Sequence, residues 1–200
     1  MKFIETSLPG VILIEPVVYG DERGFFLETY RKKEFTEAGI HIDFVQDNHS
    51  RSVRNTLRGL HFQHPHGQAK LVRVISGVVF DVAVDIRRGS PTFGKWVGEF
   101  LSSENKRELF ISAGFAHGFC VVSEHAEFVY KCSEYFHPET DHTILWNDPD
   151  IGIDWPVTAP LLSSKDSSGK LLHDVAELPE YVSPTAPSDT EGFSISLPNK

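Results

Sequence analysis

Cysteine and methionine are scarce: the chain of 200 residues has two Cys and one Met. With only Cys120 and Cys132 there is no disulfide framework, so a reducing cytoplasm is the simpler compartment. No apolar run approaches the ~18 residues that a membrane-spanning helix needs, so no membrane is expected as a partner. The opening MKFIETSLPGVILIEP holds one Lys, then a Glu, and no small-residue cleavage site, and it does not read as a signal peptide. Basic residues are in deficit, with 19 Lys and Arg against 28 Asp and Glu for a net charge of −9. Nucleic-acid binding needs clustered cations to neutralise phosphates, and that class is set aside. A small anionic ligand held by a few local cations remains compatible. There is also no glycine-rich phosphate loop, dinucleotide fingerprint, nucleophile elbow or cysteine pair at zinc spacing. Redox chemistry on a fingerprinted cofactor is therefore unsupported.

What is present is an ordinary globular composition, 40 % hydrophobic and 24 % charged. The length fits one domain, read as residues 1–182. A Ser-, Thr- and Pro-rich stretch, SPTAPSDTEGFSISLPNK at 183–200, reads as a flexible tail, and its PTAP tetrapeptide is treated as part of that tail. Strand signals dominate. Gly10 to Pro16, Arg23 to Tyr30, Leu71 to Ile75, Val78 to Ile86, Trp96 to Leu101, Glu108 to Ile111, Phe119 to Val122 and Glu127 to Glu134 are short and rich in β-branched and aromatic residues. Tyr19 to Glu22 reads as a turn, and Arg31 to Gly39 as a short helix that Gly39 stops. In VVFDVAVDI, residues Val78, Phe80, Val82, Val84 and Ile86 alternate with Val79, Asp81, Ala83 and Asp85. That pattern predicts a strand with a packed face and a wet or polar face. The fold expected is mainly β, a jelly-roll sandwich or barrel with a few short helices.

Ten His invite a search for acid–base or metal chemistry. Four of them, His49, His61, His64 and His66, fall within the polar stretch Gln46 to Lys70. In the strand-like RGLHFQ, alternation places Arg58, Leu60 and Phe62 on one face and Gly59, His61 and Gln63 on the other. Arg58, Gln63, Lys70, Asp81 and Asp85 on adjoining segments single out His61. His117 lies between Gly114 and Gly118 in SAGFAHGFC, after a strand, and Phe128, Tyr130 and Cys132 share a strand face. Two chemistries fit these residues. One is a metal site in which His61, His64 or His66, and His117 supply imidazoles. The other has no metal: a His61 base, a Lys70 cation for a developing oxyanion, and a Tyr130 hydroxyl acid. No Glu follows the His61–His66 group, and Lys70 beside a metal is electrostatically unfavourable.

The order of these residues closely resembles the dTDP-4-dehydrorhamnose 3,5-epimerase family, over about Met1 to Leu172. The similarity is carried by GDERGFFLETY (Gly20–Tyr30), FVQDNHS (Phe44–Ser50), LRGLHFQ (Leu57–Gln63) and QAKLVRV (Gln68–Val74). It continues in VFDVAVDIRRGSPTFGKWVG (Val79–Gly98), LSSENKRELFISAGFAHGF (Leu101–Phe119) and EFVYKCSEYF (Glu127–Phe136). ILWNDPDIGIDWP (Ile144–Pro156) and LSSKD (Leu162–Asp166) complete it. The resemblance implies a double-stranded β-helix of cupin type, working as a homodimer without a cofactor or metal. It implies a dTDP-linked 4-keto-6-deoxyhexose as substrate, epimerised at C3 and C5, with single-carbon epimerisation as the alternative. By similarity His61 is the base, Asp166 its dyad partner and Tyr130 the acid, with Lys70 near the C4 oxygen. Arg23, Glu28, Gln46, Asp47, Asn48, Arg58, His117, Asp141 and Lys165 fall on substrate-binding positions. Arg23 and Glu28 are expected to serve the neighbouring subunit's site. Phe136 stands where relatives often place a Tyr against the thymine, and Asp141 where they have a Glu.

Overall fold

The computed structural model describes residues 1–183; the PTAP tetrapeptide and the expected tail beyond its first residue lie outside the described residues. Two antiparallel sheets face each other. The first has six strands: β1 (Lys2–Glu5), β2 (Val11–Glu15), β5 (Gln46–Val53), β7 (Lys70–Ser76), β10 (Glu108–Ile111) and β12 (His125–Cys132), in the spatial order β1-β2-β10-β7-β12-β5. The second contains β6 (Leu57–Gln63), β8 (Val78–Asp85), β9 (Trp96–Ser102), β11 (Phe115–Val121) and β13 (Asp141–Thr143), ordered β13-β6-β11-β8-β9. Strands β3 (Val18–Asp21) and β4 (Gly24–Leu27) form a separate two-stranded arm. The helices are α1 (Lys32–Glu37) and α2 (Ser164–Ser167). The result is the expected double-stranded β-helix.

Period-two patterning explains how the sheets meet. Val72, Val74, Leu109 and Phe128 from the first sheet interlock with Val79, Ala83, Leu101 and Phe119 from the second in one apolar core. Phe119 and Phe128 stack across the gap at 4.2 Å between ring centroids. Strand β8 departs from the expected packed-and-wet division, because both of its faces are covered. Phe80, Val82, Val84 and Ile86 lie under the returning C-terminal segment, against Ile144, Ile151 and Leu172. On the opposite face Asp81 and Asp85 are buried as well. Asp85 accepts hydrogen bonds from Arg87, Ser90 and Thr92, and Asp81 pairs with His117. Local alternation cannot show that a segment 60 or more residues later folds back over the strand; the intervals to Ile144 and Ile151 are of about that length.

Three boundaries also differ. Tyr19 to Asp21, read as turn, belongs to β3, and the turn is at Glu22 and Arg23. Strand β11 starts at Phe115, which puts His117 in mid-strand. Helix α1 is shorter than the Arg31–Gly39 reading, although Gly39, at φ +84°, does end it. Phe35 anchors α1 by edge contacts with Phe3 and Tyr30, over Ile14, Leu71 and Phe110 on the outer face of the six-stranded sheet.

Glu108 is on this same outer face, 1 % exposed, with neither carboxylate oxygen hydrogen-bonded. Burial pushes its carboxyl up to about 8, against the opposing pull of Arg73 and Lys131. A carboxyl raised on folding stabilises most below its unfolded value, and the benefit is lost as pH climbs through the folded value. Glu108→Gln keeps the shape and removes the proton requirement. It is expected to raise the melting temperature at about pH 8 by at least ~3 °C and to flatten the decline between about pH 5 and pH 8. Thermal unfolding at several pH values checks this; an unchanged decline would assign the titration to another group.

Candidate active site

The site begins with a break in alternation. Strict alternation puts Arg58 and His61 on opposite faces of β6. Instead His61 lies opposite His117 of β11 while Arg58 lies opposite Phe119, so three steps on β6 span two on β11. This bulge turns Arg58 and His61 to the same interior. It depends on Gly59, whose φ is +118° and whose absent Cβ would lie 2.6 Å from both the Gly118 Cα and the His117 carbonyl oxygen. Arg58 reaches across to the facing sheet, where its Nε donates to Ser52 Oγ at 3.1 Å.

His61 is tied to the C-terminal segment. Its Nε2 donates to Asp166 Oδ1 at 2.6 Å, which leaves Nδ1 to carry the lone pair. Asp166 is 3 % exposed and also accepts from the Gly59 backbone N–H and from Ser163 Oγ. Burial works to raise its carboxyl, but the hydrogen bonds from His61 and Ser163 dominate together and bring it down to about 2. Ser163 caps α2 by accepting from the Asp166 N–H at 3.1 Å, so one short turn orients the carboxylate from both ends. Asp166 is named in the sequence by resemblance alone; the Ser163-x-x-Asp166 spacing of a helix start is the local cue that also points to it.

The facing sheet supplies the other groups. Tyr130 is on β12 beside Phe128, which in turn stacks near His117 of β11, the register partner of His61 on β6. Burial raises the Tyr130 phenol, Cys132 adds to the rise and Asp141 does too, while Arg58 opposes it. Lys70 lies opposite Cys132 in the β7–β12 register. Burial lowers the Lys70 ammonium, against the attraction of Cys132, Asp141 and Asp81. His117 Nε2 is 3.0 Å from both Asp81 oxygens, and burial raises that carboxyl while His117 and Lys70 pull it down. Asn48 donates to Cys132 Sγ at 3.6 Å, which places this thiol inside the site; the sequence reading noted only that it shares Tyr130's face.

The remaining expected residues divide into two groups. Gln46 Nε2 donates to Asn48 Oδ1, and its Oε1 accepts from the Phe136 N–H, so these three cluster at the β5 end of the interior. Lys165 and Asp141 form an ion pair across α2 and β13. Asp47, by contrast, points to the outer face and pairs with Lys131 at 3.0 Å. Arg23 and Glu28 lie outside this chain's barrel, paired with Asp21 and Arg31. The imidazoles do not gather for a metal either: His61 and His117 are held by separate aspartates, and His66 stacks on His137 in a turn. Among the described residues no group of three or more His, Cys, Asp or Glu is arranged to hold a metal ion.

Residues 5–174 match the family model described as dTDP-4-dehydrorhamnose 3,5-epimerase. A relative of that name from Pseudomonas aeruginosa is 60 % identical over 176 residues, covering 87 % of this chain and 97 % of its own. The crystal structure of a dTDP-6-deoxy-D-glucose-3,5-epimerase from Legionella pneumophila, in complex with dTDP-4-keto-L-rhamnose, superposes with a TM-score of 0.88. That protein is 52 % identical, and the match covers 90 % of this chain and 98 % of the other. A 3'-monoepimerase from Streptomyces bikiniensis, in complex with dTDP-quinovose, is more distant at 36 % identity and a TM-score of 0.81, covering 85 % of this chain and 87 % of its own.

Proposed function

The chain belongs to the dTDP-4-dehydrorhamnose 3,5-epimerase family, and from that premise we propose that it inverts C3 and C5 of dTDP-4-dehydro-6-deoxy-D-glucose to give dTDP-4-dehydro-L-rhamnose. It is an isomerase, a sugar-nucleotide epimerase. One observation carries the assignment of roles. An imidazole held by a buried carboxylate at 2.6 Å projects from one sheet, and the Tyr130 phenol, with Lys70 on the neighbouring strand, projects from the other.

The hydrogens on C3 and C5 both adjoin the C4 ketone, so removing either gives an enolate. His61 takes the proton, and Asp166 fixes its tautomer and stabilises the imidazolium that forms, as in other His–carboxylate pairs. Such positioned acid–base catalysis supplies about 10²–10⁴ in rate. Lys70 stabilises the enolate oxygen from a desolvated position, where a charge interaction is stronger than in water. Tyr130 returns a proton from the opposite side, which is what inversion requires. The proton is removed and returned without change of oxidation state, so no step calls for a redox cofactor or a metal.

Arg58 and Lys165 suit the diphosphate, since Arg binds such oxygens in bidentate fashion. Asn48, Gln46, His117 and Asp141 suit the sugar and nucleoside, and Phe136 suits stacking on the base. The β3–β4 arm leaves Tyr19, Phe25 and Phe26 each more than half exposed. A two-stranded ribbon is marginal by itself, and exposed apolar surface marks an interface. The arm therefore suits a homodimer in which it lies against a second copy and brings Arg23 and Glu28 to that copy's site. Asp47 points outward from edge strand β5, paired with Lys131, and so suits such an interface better than the interior. Residues 1–182 serve as one domain, and the buried free Cys120 and Cys132 suit a reducing cytoplasm.

The test is proton exchange. After EDTA treatment, enzyme in deuterated water is expected to introduce deuterium at both C3 and C5, read by NMR of the product. Deuterium at one carbon alone would mark a monoepimerase, and none with bound substrate would remove the catalytic reading.

A further inference from the structure

Gln63 is two residues beyond His61 on β6, 6 % exposed, and the proton chemistry does not use it. Its amide is committed to two loops. Nε2 donates to the carbonyl oxygens of His66 at 2.9 Å and Tyr135 at 3.1 Å, and Oε1 accepts from the His137 N–H at 2.8 Å. These partners are the turn after β6 and the segment after β12. Between Tyr135 and His137 is Phe136, whose own N–H donates to Gln46. The two loops also touch directly, since the His66 and His137 rings stack at 4.5 Å, and Gln68 Nε2 donates to the Glu134 carbonyl oxygen at 2.8 Å.

The strand itself has no need of this amide, because β6 is paired through its main chain to β11 and β13. A buried polar side chain is costly unless every group finds a partner, and an apolar residue would fill the place more simply. What the amide achieves is to fix the backbone on both sides of Phe136 while anchoring it to the strand that carries His61.

We propose that Gln63 is a positioning residue for nucleotide recognition: it clamps the loop around Phe136 so that the ring presents a preset face to a pyrimidine base, in register with the His61 strand. The inference rests on the reading of Phe136 as the base-stacking residue. Without the clamp, binding must order the loop, and that ordering is subtracted from affinity. Once the nucleotide is seated, the sugar meets the same base and acid. KM therefore changes and kcat hardly does.

The experiment is a double-mutant cycle of wild type, Gln63→Met, Phe136→Ala and the double variant, with dTDP affinity read by calorimetry and turnover by steady-state kinetics. Gln63→Met is expected to weaken dTDP about tenfold and to raise KM alike, with kcat lowered less than about threefold. Phe136→Ala is expected to weaken dTDP about tenfold, and the double variant to bind no worse than Phe136→Ala alone, because the clamp acts through the ring. If circular dichroism shows Gln63→Met unfolded, Gln63→Glu takes its place in the cycle, since it keeps the acceptor for His137 and loses both donors. Losses that multiply in the double variant, or wild-type affinity in the Gln63 variant beside a weakened Phe136→Ala, would overturn the inference and leave the function standing. Wild-type affinity in Phe136→Ala would instead overturn the stacking role, and the clamp's purpose with it.

Discussion

His61→Ala lowers epimerisation by at least about 10³-fold, with deuterium uptake lost at both C3 and C5. The size follows from the number of roles that end together. The imidazole is the proton acceptor on its face of the sugar, and it is also the group through which Asp166 acts at 2.6 Å. Removing it leaves a carboxylate that has lost one hydrogen-bond donor and keeps Ser163 and Gly59. The variant should therefore fold, bind dTDP and fail only at proton transfer. Uptake of deuterium at either carbon at near wild-type rate, in folded protein, would assign the base elsewhere.

Tyr130→Phe separates the two halves of the reaction. With His61 and Lys70 intact, a proton is still removed and the enolate still held, so deuterium enters the recovered substrate. Inverted product falls by about 10²-fold or more, because the returning proton has lost its source on the opposite side. NMR of substrate and product from the same incubation measures both. The phenol is well suited to staying protonated until the enolate forms, since burial raises it above its ordinary value. Epimerisation at the wild-type rate in this variant would show that another group, or water, returns the proton.

Much of this was legible in the sequence, for reasons that particular residues make plain. Alternation along β12 puts Tyr130 and Cys132 on a common side from local pattern alone, whereas Lys70 joins them only through the β7–β12 pairing, which local pattern does not show. His61 and Arg58 could not be placed by alternation. Their sharing of one face depends on the Gly59 bulge, an extra residue that alternation has no means of registering. The burial of Asp81 and Asp85 was hidden for a different reason. It depends on the facing sheet, which covers that side of β8, on His117 of β11 beside Asp81, and on Arg87, Ser90 and Thr92, which the folded loop after β8 brings round to Asp85. The arm's first strand reads in sequence as a turn, and only the fold shows that among the described residues β3 and β4 pair with each other and with neither main sheet.

That His61 and Tyr130 arise from different sheets has a mechanical corollary. Facing sheets sit roughly 10 Å apart, a spacing set by whichever side chains fill the layer between them. The gap into which a sugar ring must fit is thus gauged by the Phe119–Phe128 stack, which itself never needs to meet a ligand. Thinning or thickening that spacer would change the reach between donor and acceptor without altering a single polar atom, so the tolerances of the reaction are written into the hydrocarbon filling of the barrel.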